Sequence, residues 1–579
     1  MASNAEQVHD DTLRPASQKN HPEEEHLPEA ENAGSTILTG KKLAVVFGAM
    51  QVPFRFRLLA LIVYFRLLSI LLIALDETIL ATALPRIASD FQAFTLQGWV
   101  ATSFVLAHTV FLLLYGQVLR IFPAKWVIVT AIIIFEAGSL LCGVSQNIGQ
   151  LIAGRTVSGA GAAGILVSTI QILSQTTRLE DRPMLFALAG VVFAVSSIVG
   201  PLIGGAFTDH VTWRWCFWVN LPVGGVSVIA VTLLLKASPP LGSDPTKRSF
   251  ANILTEVARI DFLGAILVSG AVTAVVLALQ WGGNTKPWND KAVIVCFVLS
   301  PVLATAFLVW EIYLGDGAMT PTAVMHSKSI YGILVYCFLT RFAILVYSYG
   351  MYLQYIPIFY QAVRHQSATR SGIDILPFML AQVLTIVAAG QVVGKTGYYW
   401  HFLALGPIFL GLGAGLLYTV DITSSSAKIA GFQILLGVGT GMGVQNTLLA
   451  IQTEFKDKPD LLGQATGMAT FAQFLGGTLG LAIAEPVLAS ELGKYLLRFA
   501  PEAPSAVVRQ TPTAIYTDLP QGMIAGVVRA YTESLRVVFV LGVPVAGLAL
   551  VAAVFVENLR IQKTVGRGDP EKGGSGEEK

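Results

Sequence analysis

Leu106-Ala107-His108-Thr109-Val110-Phe111-Leu112-Leu113-Leu114-Tyr115-Gly116-Gln117-Val118 is an apolar run that returns later in the chain as Leu380-Ala381 through Gly390-Gln391-Val392. The likeness extends outward to Gly98 and Gly372 at one end and to Trp126 and Trp400 at the other, and every pair stands 274 positions apart. Arg155, Gly159 and Gly161 meet Gln433, Gly437 and Gly439 at an offset of 278, and Gly200 meets Gly476 at 276. A near-constant offset across three segments implies an internal duplication. Parallel repeats of apolar helices suggest a secondary transporter with its substrate site at the midplane between the halves.

Composition excludes most other classes. Of 579 residues, 54% are apolar and 13% charged, against about 25% charged in a soluble domain. The net charge is +2 without a basic stripe, so no nucleic-acid partner is expected. Fourteen runs approach the roughly 20 residues that a bilayer requires: 67–84, 99–119, 126–145, 149–173, 184–207, 213–235, 262–281, 292–313, 330–353, 371–392, 400–420, 428–451, 464–488 and 535–557. All are expected to be helices, because an open strand leaves its backbone unsatisfied in lipid. The fold class is therefore all-α and polytopic, with two six-helix bundles and spans 7 and 8 as an inserted pair.

The implied organisation is a disordered tail over 1–42, an N-terminal bundle over 43–235, a linker with the two extra spans over 236–328, a C-terminal bundle over 329–557 and a second tail over 558–579. A long outer loop is expected over 489–533, with room for a short amphipathic segment. Residues 1–40 lack an apolar h-region, so no cleavable signal peptide is expected. Loop charge gives the orientation. Arg120, Lys125, Arg178, Arg182, Lys236, Lys247, Arg248, Arg259, Lys328, Lys395, Lys456 and Lys458 fall on one side. Arg86, Arg214, Lys286, Lys291, Arg364, Arg370 and Lys428 fall on the other. The excess places both termini in the cytoplasm. Cys142, Cys216, Cys296 and Cys337 lie in apolar runs without ligand spacing and read as packing residues, so no metal is expected. No nucleophile–base pair appears in the spans, and the chain does not read as an enzyme.

Charges inside the spans each need a reason. Asp76, in span 1, either exchanges a proton or makes a structural hydrogen bond to a neighbouring helix. Glu77 points about 100° away, toward another helix or the cavity. Arg155, early in span 4, either snorkels to the interface or pairs with an inward carboxylate. Glu136, mid-span 3, is either a second titrating group or a protonated spacer. Arg341, mid-span 9, either attracts an anionic substrate into the cavity or pairs with a nearby acid. His108, Gln382, Gln445 and Gln473 are further cavity candidates, with interhelical hydrogen bonding as the alternative. Asp261 reads as the N-cap of span 7. Gly200 and Gly204 share one helix face, and Pro201 between them can bend span 5; tight helix packing is the alternative.

These residues resemble the major facilitator superfamily, and within it the fourteen-helix drug–proton antiporter branch. Four stretches carry the likeness: Leu75-Asp76-Glu77-Thr78-Ile79 through Pro85; Gly154-Arg155 through Gly159-Ala160-Gly161; Gly200-Pro201-Leu202-Ile203-Gly204-Gly205 with Trp213 through Phe217 and Asn220-Leu221-Pro222; and Leu277 through Gly283. The resemblance is nearest to fungal pumps for toxins and other secondary metabolites. It implies proton-driven export of small amphipathic molecules by a protein of the plasma membrane, with a vacuolar or vesicle membrane as the alternative. It further implies a monomer whose partners are substrate, protons and lipid, with no cofactor. It assigns Asp76 and Arg155 to proton coupling and Gly200, Pro201, Gly204 and Gly205 to the antiporter motif. A proton-coupled importer of a sugar or iron chelate on the same fold, and a non-transporting sensor, are the rival readings.

Two departures stand out. Between spans 2 and 3 the family has Gly-x3-Asp-x2-Gly-Arg-Lys, where this chain has Gly116 through Lys125 with Arg120 in place of the acid, Pro123 of the glycine and Ala124 of the arginine. The usual charge latch on that side cannot form. Before span 1, the basic segment from Gln51-Val52-Pro53-Phe54-Arg55-Phe56-Arg57 to Phe65-Arg66 interrupts the family pattern. It is either an interfacial segment broken at Pro53 or, as we read it, a retained intron over 51–66. The expected transcript joins codon 50 directly to codon 67; a read containing the intervening codons overturns that origin.

Overall fold

The computed structural model describes residues 54–91, 93, 96–179, 181–240, 255–283, 286–347, 355–366, 368–505, 508, 515–516 and 519–561. The expected N-terminal tail, Pro53, Lys247 and Arg248, and the C-terminal tail beyond 561 lie outside these residues. The apolar runs form fourteen helical segments. In chain order they are α1 (Phe54–Asp90), α2 (Gln97–Ile121), α3 (Ala124–Gly143), α4 (Ile148–Thr176), α5 (Arg182–His210) and α6 (Trp215–Leu234), then α7 (Phe262–Trp281) and α8 (Lys291–Leu314), then α9 (Lys328–Tyr347), α10 (Leu376–Thr396), α11 (Trp400–Tyr418), α12 (Ser426–Glu454), α13 (Leu462–Phe499) and α14 (Gln521–Val554). Among the described residues, eleven are long and apolar enough to cross a membrane by length and composition. Among the described residues no strand occurs beyond one isolated bridge, Gly282 to Lys286.

The duplication reappears as equivalent contacts. Gly159 of α4 packs on Phe104 O and Ala107 of α2, and Gly437 of α12 packs on Phe378 O and Ala381 of α10. A Cβ at Gly161 would stand 2.7 Å from Ala131 O of α3, and one at Gly439 would stand 2.7 Å from Gly406 O of α11. Gly200 closes α5 onto Thr78 of α1, as Gly476 closes α13 onto Phe338 of α9. In lipid there is little hydrophobic drive between helices, so close backbone approach at small residues supplies much of the association.

The inserted pair packs mainly on itself, with α7 also touching α2 and α13. On α8 Ile294, Val298, Val302, Val309 and Ile312 are exposed on the protein surface, where a bilayer would cover them. Asp261 does cap α7, accepting from Gly264 N at 2.7 Å. All four cysteines are free, and Cys142, Cys216 and Cys337 are buried.

Two boundaries differ from the apolar runs. Helix α1 begins at Phe54 and covers 37 residues, roughly 55 Å at 1.5 Å per residue, so it outruns the hydrocarbon thickness of about 30 Å. The expected outer loop over 489–533 is shorter: α13 continues as helix to Phe499 and α14 starts at Gln521. Residues 489–499 are amphipathic, burying Leu492 and Leu496 while Lys494 and Arg498 are exposed, so their mean apolarity understates the helix. Gly526 admits Ala500 and Phe499 against α14, and Arg529 covers the Phe499 ring at 4.6 Å.

Gly161→Val and Gly439→Val each force α4 off α3 or α12 off α11. The expected outcome for each is a loss of about 1–3 kcal/mol or more in stability, read as a lower melting temperature of the detergent-solubilised protein. Unchanged melting of both variants would show that these approaches do not hold the bundles.

Candidate functional site

The N-terminal bundle converges on one buried ion pair. Gly138 and Gly154 let α3 and α4 touch, since a Cβ at Gly138 would stand 2.8 Å from Gly154 O. Asn147 caps α4 by accepting from Gln150 N at 2.9 Å. Arg155 follows two turns later, wholly inside the bundle. Its Nη1 donates to Asp76 Oδ2 of α1 at 2.6 Å, and its Nε donates to Val100 O of α2 at 3.2 Å. The guanidinium lies 4.1 Å from the centre of the Phe104 ring, a cation–π contact in a water-poor setting. Of the two readings open for Arg155, snorkelling to an interface does not fit; it pairs inward.

Asp76 is 1% exposed and its second oxygen is also used. Asn220 Nδ2 of α6 donates to Asp76 Oδ1 at 2.9 Å and reaches Ser139 Oγ of α3 at 3.3 Å. Three helices thus meet at one carboxylate, and α2 and α3 join through Arg155 and Asn220. The ends of this region are pinned by side chains from the connections: Trp213 Nε1 donates to Asp90 Oδ2 at 2.9 Å, and Arg214 Nη2 to Ser145 O at 2.8 Å. Neither Asn220 nor Ser139 stood out in the sequence as a site residue. Its place in the stretch Asn220-Leu221-Pro222, two residues after Trp218, was the available signal for Asn220.

Glu136 lies one turn from Ser139 on the same side of α3, which brings it near this network. Both carboxylate oxygens are buried with no hydrogen-bond partner among the described residues, and the side chain presses on Gly224 of α6. The antiporter glycines are divided in their contacts. Gly200 meets Thr78, whose hydroxyl donates to Ser196 O at 2.9 Å and joins α1 to α5. Gly204 is buried and its carbonyl faces Cys216 Sγ at 3.9 Å, whereas Gly205 faces open space. The backbone through Pro201 is helical, and α5 is continuous from Arg182 to His210.

A second layer joins the two bundles. Glu77, next to Asp76, places Oε1 4.0 Å from His108 Nδ1 of α2. His108 is buried and stacks on Phe474 of α13 with ring centres 4.3 Å apart. Arg341 of α9 lies on the same Phe474 ring at 5.6 Å and within electrostatic reach of Glu77 and His108. Thr109 and Thr478 hydroxyls meet at 3.2 Å one residue further on α2 and one turn further on α13. Sequence reading identified Glu77, His108 and Arg341 but not Phe474, the ring that brings His108 and Arg341 together.

The glutamine candidates separate. Gln445 lines a small cleft between α5, α10 and α12, with Phe186, Ile386 and Asn446. Gln382 is half-buried where α10 crosses α12. Gln473 Nε2 donates to Thr447 Oγ1 at 2.9 Å and to Val444 O at 3.3 Å, so it bridges α13 to α12.

Comparison with known proteins agrees with this architecture. The model of the Major Facilitator Superfamily matches residues 66–481, a match that begins at the last residue of the basic segment 51–66. The efflux pump hmp6 of Hypomyces subiculosus is 37% identical over 86% of this chain and 87% of its own. An MFS-type efflux pump of Arthroderma benhamiae is 36% identical over 86% and 91%. The aspyridones efflux protein of Neocamarosporium betae is 34% identical over 85% of each chain. Among solved structures, the proton:xylose symporter XylE aligns with a TM-score of 0.54 at 12% identity, covering 87% of this chain and 96% of that one. The human organic anion transporter MFSD10 aligns at 0.51 and 14%, covering 86% and 100%. The chain belongs to the major facilitator superfamily, and it is a membrane transporter rather than an enzyme.

Proposed function

We propose that the protein exports small amphipathic molecules, a toxin or another secondary metabolite, in exchange for protons, by alternating access of its two six-helix bundles. The direction rests on its relatives, several of which are named efflux pumps. The coupling rests on one observation, the Asp76 carboxylate held by Arg155 and Asn220 inside the bundle. The lysine and arginine distribution supports cytoplasmic termini, which puts the Arg155 end of α4 toward the outside. A proton entering from there meets Asp76 first. The family likeness supports a monomer in the plasma membrane.

The chemistry is a competition for one carboxylate. Ionised, Asp76 neutralises Arg155 and ties α1 to α4 and α6. When a proton binds Oδ2, the carboxyl no longer balances the guanidinium, which Val100 O and the Phe104 face still hold. A buried cation stripped of its counter-charge costs several kcal/mol, so the helices must move or the cation must find another acid. Glu77 is the next residue of the same helix and faces the substrate layer. A shift of α1 therefore acts on both sites. The substrate layer itself offers an aromatic face, Phe474, between a cation and an imidazole, which suits planar molecules with a polar edge.

Inside-out vesicles carrying the protein are expected to accumulate fluorescent amphipathic dyes when the lumen is acid, and right-side-out vesicles are expected to exclude them. Asp76→Asn removes the titrating carboxylate and keeps the volume, with one oxygen left to accept from Asn220 or Arg155. It is expected to reach the membrane and to lose pH-dependent transport; normal pH-dependent export by this variant overturns the assignment. Phe474→Ala is expected to raise the half-saturating dye concentration with proton dependence intact, and Phe474→Tyr to retain native affinity. Equal affinity in all three proteins would remove Phe474 from the substrate layer.

A further inference from the structure

The loop between α2 and α3 lacks the acid of the family pattern, yet the two halves are joined at that end. The turn that follows α8, Gly315–Ala318, is gripped from both sides. From α2, Gln117 Nε2 donates to Gly317 O at 3.0 Å, and Arg120 Nη1 reaches Asp316 O at 3.5 Å. From α13, Gln464 Nε2 donates to Ala318 O at 3.3 Å, and its Oε1 accepts from Arg120 Nη1 at 3.2 Å. Gly116 permits the approach, since a Cβ there would lie 3.5 Å from Gln464 Cα. Gln117 also accepts from Asp261 N at 3.1 Å, which fastens the start of α7 to the same point. The inserted pair thus supplies a clasp where the acidic latch is missing.

Two acids stand behind the clasp. Asp261 Oδ1 accepts from Gly264 N and from Trp310 Nε1, each at 2.7 Å. Glu311 Oε2 accepts from Thr320 N at 2.6 Å and from the Thr320 hydroxyl. Both residues are 4% exposed. The remaining oxygens, Asp261 Oδ2 and Glu311 Oε1, receive no donor from the described residues. They converge beside Gly264, where a Cβ would lie 3.0 Å from Glu311 Oε1 and collide with the Asp261 carboxyl. The two lone oxygens thus crowd the same side of Gly264.

Two carboxylates converging out of water repel when both are ionised, and one proton between them gives each lone oxygen a partner. The charged groups packed around them do not relieve the pair. Arg120 of α2 is directed at the turn, and the Asp316 carboxylate accepts from Thr322 Oγ1 at 3.4 Å. The facing residue of α13 is the neutral Gln464. Among the described residues no cation bonds either carboxyl.

We propose that Asp261 and Glu311 together bind one proton, separate from the proton at Asp76, and that this proton holds the turn over residues 315–320 as the clasp between the halves. Thr320 is the mechanical link, since both of its donors end on Glu311. The clasped state carries the extra proton, so it is favoured at low pH on this face and lost as pH rises. The site needs no assumption about what the protein transports or in which direction.

The test uses the purified full-length protein in lipid nanodiscs, with two readouts and two variants. Infrared spectroscopy at neutral pH is expected to show a protonated-carboxyl stretch that both Glu311→Gln and Asp261→Asn remove, because either amide donates to the surviving carboxylate. Hydrogen exchange over residues 315–320 is expected to rise with pH beyond the chemical rate in the native protein, and to follow the chemical rate alone in the variants. If one variant fails to accumulate, the other carries both readouts. A carboxyl stretch unchanged in the variants, or native exchange that already follows the chemical rate, overturns the proposal.

Discussion

The N-terminal bundle is arranged around the need to keep the Arg155 guanidinium out of lipid and in balance. A charge at that depth is costly, and burying an ion pair is often no more stabilising than a well-packed apolar pair. The pair is therefore weak as a source of stability, and its presence points to a state that changes. Every helix that touches it contributes a group that suits one charge state. Asp76 supplies the counter-charge, Asn220 and Ser139 hold the second carboxylate oxygen in place, and Val100 and Phe104 accept the cation whichever state the acid is in. The glycines of α3 and α4 are what permit these groups to meet.

The duplicated halves share backbone contacts and differ in chemistry. Gly159 and Gly437, and Gly161 and Gly439, solve the same packing problem at equivalent places. Yet the position of Arg155 is taken by Gln433, whose amide donates to Asp374 O at 3.0 Å and to Tyr360 Oη at 3.3 Å. The C-terminal bundle keeps a neutral hydrogen-bonded version of the N-terminal charge site. A neutral amide cannot be unbalanced by a proton. The asymmetry gives one half the buried ion pair and leaves the other to present Arg341 and Phe474.

Much of this was legible in the residues because the bilayer leaves few choices. Apolar runs of bilayer length must be helices, a repeated offset must be a repeated bundle, and an acid and an arginine buried in the same bundle must find partners. Asp76 and Arg155 could be singled out one at a time on that ground, although pairing across 79 positions needed the helices to be assembled. What stayed hidden was of three kinds. Asn220 and Ser139 are uncharged, and their types are common in spans as simple interhelical bonds. Phe474 is one aromatic residue among many and matters only because His108 and Arg341 converge on it. Residues 489–499 are helical through an amphipathic face that an average over the window conceals.

The α2–α3 loop shows how a motif can degrade without its task being lost. Read alone, Arg120 in place of an acid suggests a broken latch, since a cation cannot serve as the acidic partner. The fold reassigns it. Arg120 becomes a donor to the turn after α8 and to Gln464 across the bundle interface. A guanidinium has five N–H groups in a fixed fork, so it can hold a carbonyl and an amide oxygen together where a carboxylate could hold neither. The acids have moved to Asp261 and Glu311 in the inserted helices, where one secures Gly264 and Trp310 and the other secures Thr320. Two extra helices that otherwise face lipid thereby acquire a reason to touch both halves at one end.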